Sequence, residues 1–219
     1  MSRDRYKKKL QYFLDYYLVK TVAICFGIFV VVLFLVHYFR PAPETILYVA
    51  VYDLTLDGEE KDTLCRELAA AYEEGAETSQ VIIDDSFRSD SAKDVERLQV
   101  LAANHAVDVI ICPQREIMEA YAGYGYLREL PALLSKEAED RAREEKRLIR
   151  AAGMLWTDEI SFEDHESGQG PEKPYVMDIS RTGRWERLAG TGTPGFLGTV
   201  LDTPHEKTVT ELIAVLMER

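Results

Sequence analysis

Three groups of residues in this chain of 219 have the types and spacing that chemistry uses. Gly190-Thr191-Gly192-Thr193-Pro194-Gly195 repeats the G-x-G-x-x-G string of dinucleotide sites. In those sites the glycines join a strand to a helix whose first amides meet a pyrophosphate. Here the string precedes an apolar, strand-like run and Pro194 removes one amide, so a turn is expected. His205-Glu206 opens like the zinc-binding H-E-x-x-H, but Val209 stands where the second ligand would be. Glu206 is expected instead as an acid in a helix's first turn, where the dipole favours it. Asp158, Glu159, Glu163 and Asp164, with His165, collect acids in one polar stretch without the spacing of a calcium loop, and a solvated surface is expected. The sequence holds no G-x-S-x-G elbow, P-loop or C-x-x-C. The expectation is a protein that is not an enzyme, with no catalytic residue, no metal ligand and no cofactor.

The elements that must position any site alternate in type. The run at 46–52, ILYVAVY, is continuous and rich in β-formers, which suits a strand covered on both faces. A helix is expected over 58–74, with Leu64, Leu68, Ala71 and Tyr72 on one face and Gly75 as its stop. A second strand follows at 81–83. Ser91 then caps a helix whose Val95, Leu98, Leu101 and Ala102 face inward. A third strand lies at 107–112, and Pro113 starts a helix carrying Ile117, Met118 and Tyr121. Strand–helix alternation implies parallel pairing with right-handed crossovers. Eleven of the fifteen residues at 136–150 are charged, which reads as a solvated helix. A loop over 157–174, strands at 175–179 and 196–201, and a last helix over 205–218 complete the chain. Cys65 and Cys112 are expected as buried free thiols, with a disulfide between them as the alternative.

Charge is unevenly placed. Residues 1–20 hold six basic groups against two acidic ones, a net of +4 in a chain of −12, so the remainder carries −16. A domain that acidic repels phosphate backbones, which argues against nucleic acid as a partner. Residues 21–39, TVAICFGIFVVVLFLVHYF, contain no formal charge. A helix of that length, at ~1.5 Å per residue, approaches the ~30 Å of a bilayer's hydrocarbon core. Aromatic residues cluster at both ends, as interfacial belts do. The expectation is an uncleaved signal-anchor. A basic amphipathic segment over 1–20 would be cytoplasmic, a transmembrane helix would span 21–39, a spacer 40–45, and an extracytoplasmic domain 46–219. That makes a single-pass cell-membrane protein with the lipid bilayer as a partner. A cleaved signal would offer small residues after the run, whereas this one exits into His37-Tyr38-Phe39-Arg40-Pro41.

LAAAYEEGAETSQVIIDDSF, followed by LQVLAANHAVDVIICPQREIMEAYAGYGYLRELPALL, resembles the first lobe of bacterial extracellular solute-binding proteins of ABC importers. The likeness rests on Ala102-Ala103 ending a helix, on the strand Asp108-Val109-Ile110, and on the turn from Gly125 through Leu127 and Glu129 to Pro131. It implies an α/β domain with a mostly parallel sheet flanked by helices, like one lobe of a periplasmic-binding-protein fold. It also implies a binding or interaction role serving a transporter permease. The alternative is a ligand-free scaffold contacting another cell-envelope protein. If the strand order is 2-1-3, as the resemblance implies, a ligand would sit outside the carboxyl ends of the first and third strands. The candidate ligand-binding residues there are Asp53, Thr55, Gln114 and Arg115.

Overall fold

The computed structural model describes residues 7, 11, 17–38, 43–72, 79–155 and 167–218. The chain divides into two units, Met1–Ala42 and Pro43–Arg219. Most of the expected segment 1–20, Gly75, and the acids and histidine of 158–165 lie outside the described residues.

In the first unit helix α1 covers Val19–Tyr38. Its apolar side chains are exposed on every side rather than gathered in a stripe. Among the described residues no helix is long and apolar enough to cross a membrane. The expected transmembrane segment, the signal-anchor and the single-pass placement are corrected accordingly. Phe39, the last residue of the expected span, lies outside the described residues.

The second unit is an α/β domain built on one sheet of six strands. In chain order these are β1 (Glu44–Tyr52), β2 (Ser79–Phe87), β3 (Val109–Cys112), β4 (Leu148–Ala152), β5 (Glu172–Asp178) and β6 (Phe196–Thr199). Their spatial order is β2-β1-β3-β6-β5-β4. The first three strands are mutually parallel and carry the 2-1-3 order. The pairings β3–β6, β6–β5 and β5–β4 are all antiparallel. The sheet is therefore mixed, which corrects the expectation of a mostly parallel one. Parallel neighbours need a covering crossover, whereas antiparallel neighbours need only a return of the chain, and the second half of the domain uses returns.

Helices cover both faces. Leu47, Val49 and Val51 of β1 face α2 (Gly58–Ala71), and the same layer holds Ala142, Trp185 and Leu212, from α5 (Lys136–Glu144), α6 (Gly183–Ala189) and α7 (Glu206–Leu216). Ala50 and Tyr52 face the other way, toward Leu98 of α3 (Ala92–Ala103) and Met118 and Tyr121 of α4 (Arg115–Gly123). Burial on both faces is why β1 and β3 are continuous apolar runs. Ser91 caps α3 as expected, accepting from the Asp94 amide at 3.3 Å. Pro113 instead precedes the cap of α4, Gln114. The expected helix over 136–150 stops at Glu144, and its last residues form β4. Gly190 and Gly192, with φ of 91° and 82°, make the turn from α6 to β6. A Cβ on Gly195 would press into the buried Trp185 ring, 2.6 Å from Nε1.

The outer strand β2 is latched to both helical layers by neighbouring acids whose side chains alternate across the sheet. Asp84 accepts from Tyr48 Oη at 2.8 Å and from Arg97 of α3 at 2.7 Å. Asp85 accepts from Lys61 of α2 and from the Leu56 amide, both at 2.9 Å. Burial works to raise the Asp84 carboxyl, but donors on Ser86, Tyr48 and Arg97 outweigh it and hold it down to about 2. A carboxyl lowered on folding stabilises above its unfolded value, ~3.9, and loses that contribution as pH falls through the folded value. The expected outcome is that the stability difference between the protein and Asp84→Asn is full above pH ~4 and shrinks toward pH ~2, read from urea unfolding across that range.

Candidate functional site

The carboxyl ends of β1 and β3 come together as the 2-1-3 order requires. Asp53 follows β1 in a left-handed conformation, φ 51°. Its amide donates to Phe87 O at 3.0 Å, and its carboxylate accepts from the Ser89 amide at 2.8 Å and from the Ser89 hydroxyl. Beside it the Cys112 thiol donates to Gln114 Oε1 at 2.8 Å. Behind both, the Tyr52 and Tyr121 hydroxyls are bonded at 3.0 Å. Burial pushes the Cys112 thiol up to about 12, and the nearby Asp53 charge adds to the rise. Burial likewise raises Tyr52 and Tyr121. Thr55 is exposed, and Arg115 pairs with Glu119 one turn along α4 at 2.6 Å. Of the four expected residues, Asp53 and Gln114 therefore flank one buried thiol, while Thr55 and Arg115 are on the surface. Both domain cysteines are free.

An opening lies at the other end of the sheet, where β4 and β6 finish and β5 begins. It is a cleft of about 520 Å³. One wall is the chain after α4. Gly125 turns with φ 76°, the Arg128 amide donates to Thr199 O at 2.8 Å, and the Leu201 amide donates to Tyr126 O at 2.8 Å. Those bonds fix Leu127 and Leu201 in the wall. The opposite wall carries Met154, Leu155, Lys173 and Tyr175. Tyr175 lies over Gly153, where a Cβ would sit 3.0 Å from its Cζ. Two cations border the apolar lining, each with an acid beside it. Lys173 Nζ meets Glu129 at 2.5 Å, and Arg128 pairs with Glu206. The hydrogen bond it donates to Glu129 raises the Lys173 ammonium, which stays charged. Leu155 and Leu201 leave 40% and 36% of their surface exposed at the cleft.

Between these two places lies a buried polar knot that the sequence reading passed over. Asp108 is 1% exposed. Its carboxylate accepts from the Tyr48 amide at 2.7 Å, from the Thr203 hydroxyl, and from His205 Nδ1 at 3.0 Å. An acid inside the apolar run 107–112 was the available signal, because burial rejects a carboxylate unless donors meet it. The cleft had no comparable signal. Its residues come from segments 127–129, 154–155, 173–175 and 201, and only folding brings them together. Among the described residues no group of histidines, cysteines and acids could hold a metal ion.

No family model matches the chain, and no curated protein and no solved structure matches it.

The contact of Tyr175 with Gly153 makes the cleft wall testable. Gly153→Ala is expected to displace the ring and cost ~1–3 kcal/mol in thermal or urea unfolding. In a Tyr175→Ala background that penalty is expected to shrink by ~1 kcal/mol, read from a double-mutant cycle.

Proposed function

We propose that the domain over 43–218 is a ligand-binding domain that holds a small molecule with an apolar body and an acidic group in the cleft beside Leu127 and Lys173. The observation that carries this reading is the cleft itself: about 520 Å³, with leucines and Tyr175 along its lining and Arg128 and Lys173 at its border. That volume is in the range of small-molecule sites, ~300–1,000 Å³, and such sites combine apolar walls with a few polar groups. A carboxylate entering the cleft would meet Arg128 and Lys173 and would compete with their present partners, Glu206 and the cleft-lining Glu129.

Binding rather than bond-making suits the groups available. The Cys112 thiol is pushed up to about 12 and is therefore protonated near neutrality. The thiolate is the nucleophile, so a thiol held this way is inert. At the strand ends the Asp53 carboxylate is engaged by Ser89 and the Gln114 Oε1 by the Cys112 thiol. The resemblance to one lobe of solute-binding proteins supports the same class of role.

Thermal shift with phenylacetate, indole-3-acetate and N-acetyl-leucine, each beside its neutral amide, tests the reading. The acids are expected to raise Tm by roughly 3–5 °C at about ten times Kd, and the amides to do less. Lys173→Gln, at a half-buried position, and Leu201→Glu, at an exposed one, are each expected to abolish the shift without changing the Tm of the free protein by more than a few degrees. No shift with any acid, or a shift that survives both substitutions, overturns it.

A further inference from the structure

The strand β4 ends the sheet order and pairs on one side only, with β5. Among the described residues no strand covers its outer side, so its outward N–H and C=O groups form a template for another strand. Short, charged edge strands are a common defence against such pairing. The distribution of charge at β4 does more than repel. Residues 146–150 read Lys-Arg-Leu-Ile-Arg in a chain whose net charge is −12. Along the strand Ile149 and Ala151 turn to one core layer, and Leu148 to the other. On the Leu148 face, between α5 and β4, lies a groove of about 240 Å³ lined by Ala142, Arg143, Lys146, Leu148, Arg150 and Pro174. Three of those six residues are cations and none is an acid.

The groove is also held in shape. Lys146 takes a left-handed conformation, φ 55°, and the Arg147 amide donates back to Ala142 O at 2.8 Å, which closes the end of α5 before β4 begins. Arg150 donates to Glu172 O across the β4–β5 pair, and Arg143 is steadied by Glu139 at 2.9 Å. Lys146 makes no ion pair among the described residues. A fixed basic groove against an open strand edge disfavours a second copy of β4, which would bring like charges together, and favours an acidic strand.

We propose that the β4 edge is a docking site for an extended acidic segment of a partner protein, which adds to the sheet as a seventh strand. Main-chain bonds to β4 hold the segment, and alternate acidic side chains enter the groove beside Lys146 and Arg150. Strand addition of this kind divides its work between backbone bonds and side-chain pockets. The site is separate from the ligand cleft and does not depend on it.

The experiment is fluorescence anisotropy with the full chain and a short labelled peptide of alternating glutamate and valine. Two further peptides of the same charge carry N-methyl groups on the odd or on the even amides. The unmodified peptide is expected to bind, and one N-methyl series to lose binding while the other keeps it, because an added strand pairs through alternate amides. Lys146→Glu with Arg150→Glu is expected to weaken binding at least about tenfold with unchanged thermal unfolding. No binding, equal binding of all three peptides, or full binding by the double variant would overturn the proposal. If the double variant unfolds, Lys146→Gln alone is used, with a weakening of about threefold expected and no weakening overturning the proposal.

Discussion

A carboxylate taken out of water inside a hydrophobic sheet costs several kcal/mol unless donors replace the lost hydration. Asp108 sits in that position, and every element around it is arranged to meet it. The backbone of β1 supplies the Tyr48 amide, the turn after β6 supplies Thr203, and the first residue before α7 supplies His205. The main chain of Asp108 is fixed as well, since its amide donates to Tyr48 O and its carbonyl accepts from Val200. One side chain thus joins the parallel half of the sheet to the antiparallel half where their strands meet. Apolar packing alone would tolerate sliding of β6 along β3; three donors converging on one acid select a single register.

The same junction locates the two candidate sites. β1 and β3 run toward the Asp53 and Cys112 end, and β6 runs back to finish beside Leu127. The strand-end groups at the first place are bonded to one another, so they fasten the turns that follow β1 and β2. At the second place the chain after α4 is pinned to the end of β6 through backbone bonds, and the side chains on it remain free to line an opening.

The parallel half was legible in the sequence because each of its features is local. Continuous apolar runs at 46–52 and 107–112 mark strands buried on both faces, and Ser91 three residues before Asp94 marks a helix start. The antiparallel half was not legible for physical reasons. β4 follows α5 after a left-handed turn at Lys146, a residue that carries no turn signature, and the charge of 136–150 continues across the boundary. The helix α6 is seven residues long, and its Trp185 gives little periodicity to read. Strand direction is encoded in connections, and alternation of strands with helices misled because β5 and β6 are antiparallel neighbours despite the helix between them. The apolar run at 21–39 was legible as a helix, but the span drawn from it did not stand.

The adjacent acids of β2 have a bearing on how the domain comes apart. β2 lies at the rim of the sheet, the place where strands fray first, and rims usually open as small, independent fluctuations. Here Asp84 is tied to α3 above the sheet and Asp85 to α2 below it. Peeling β2 away releases a helix from each layer at once, so fraying at this rim is coupled to both cores. Slow amide exchange in β2 should then track that of α2 and α3 as one cooperative block, giving the domain a margin that is as hard to open as its centre.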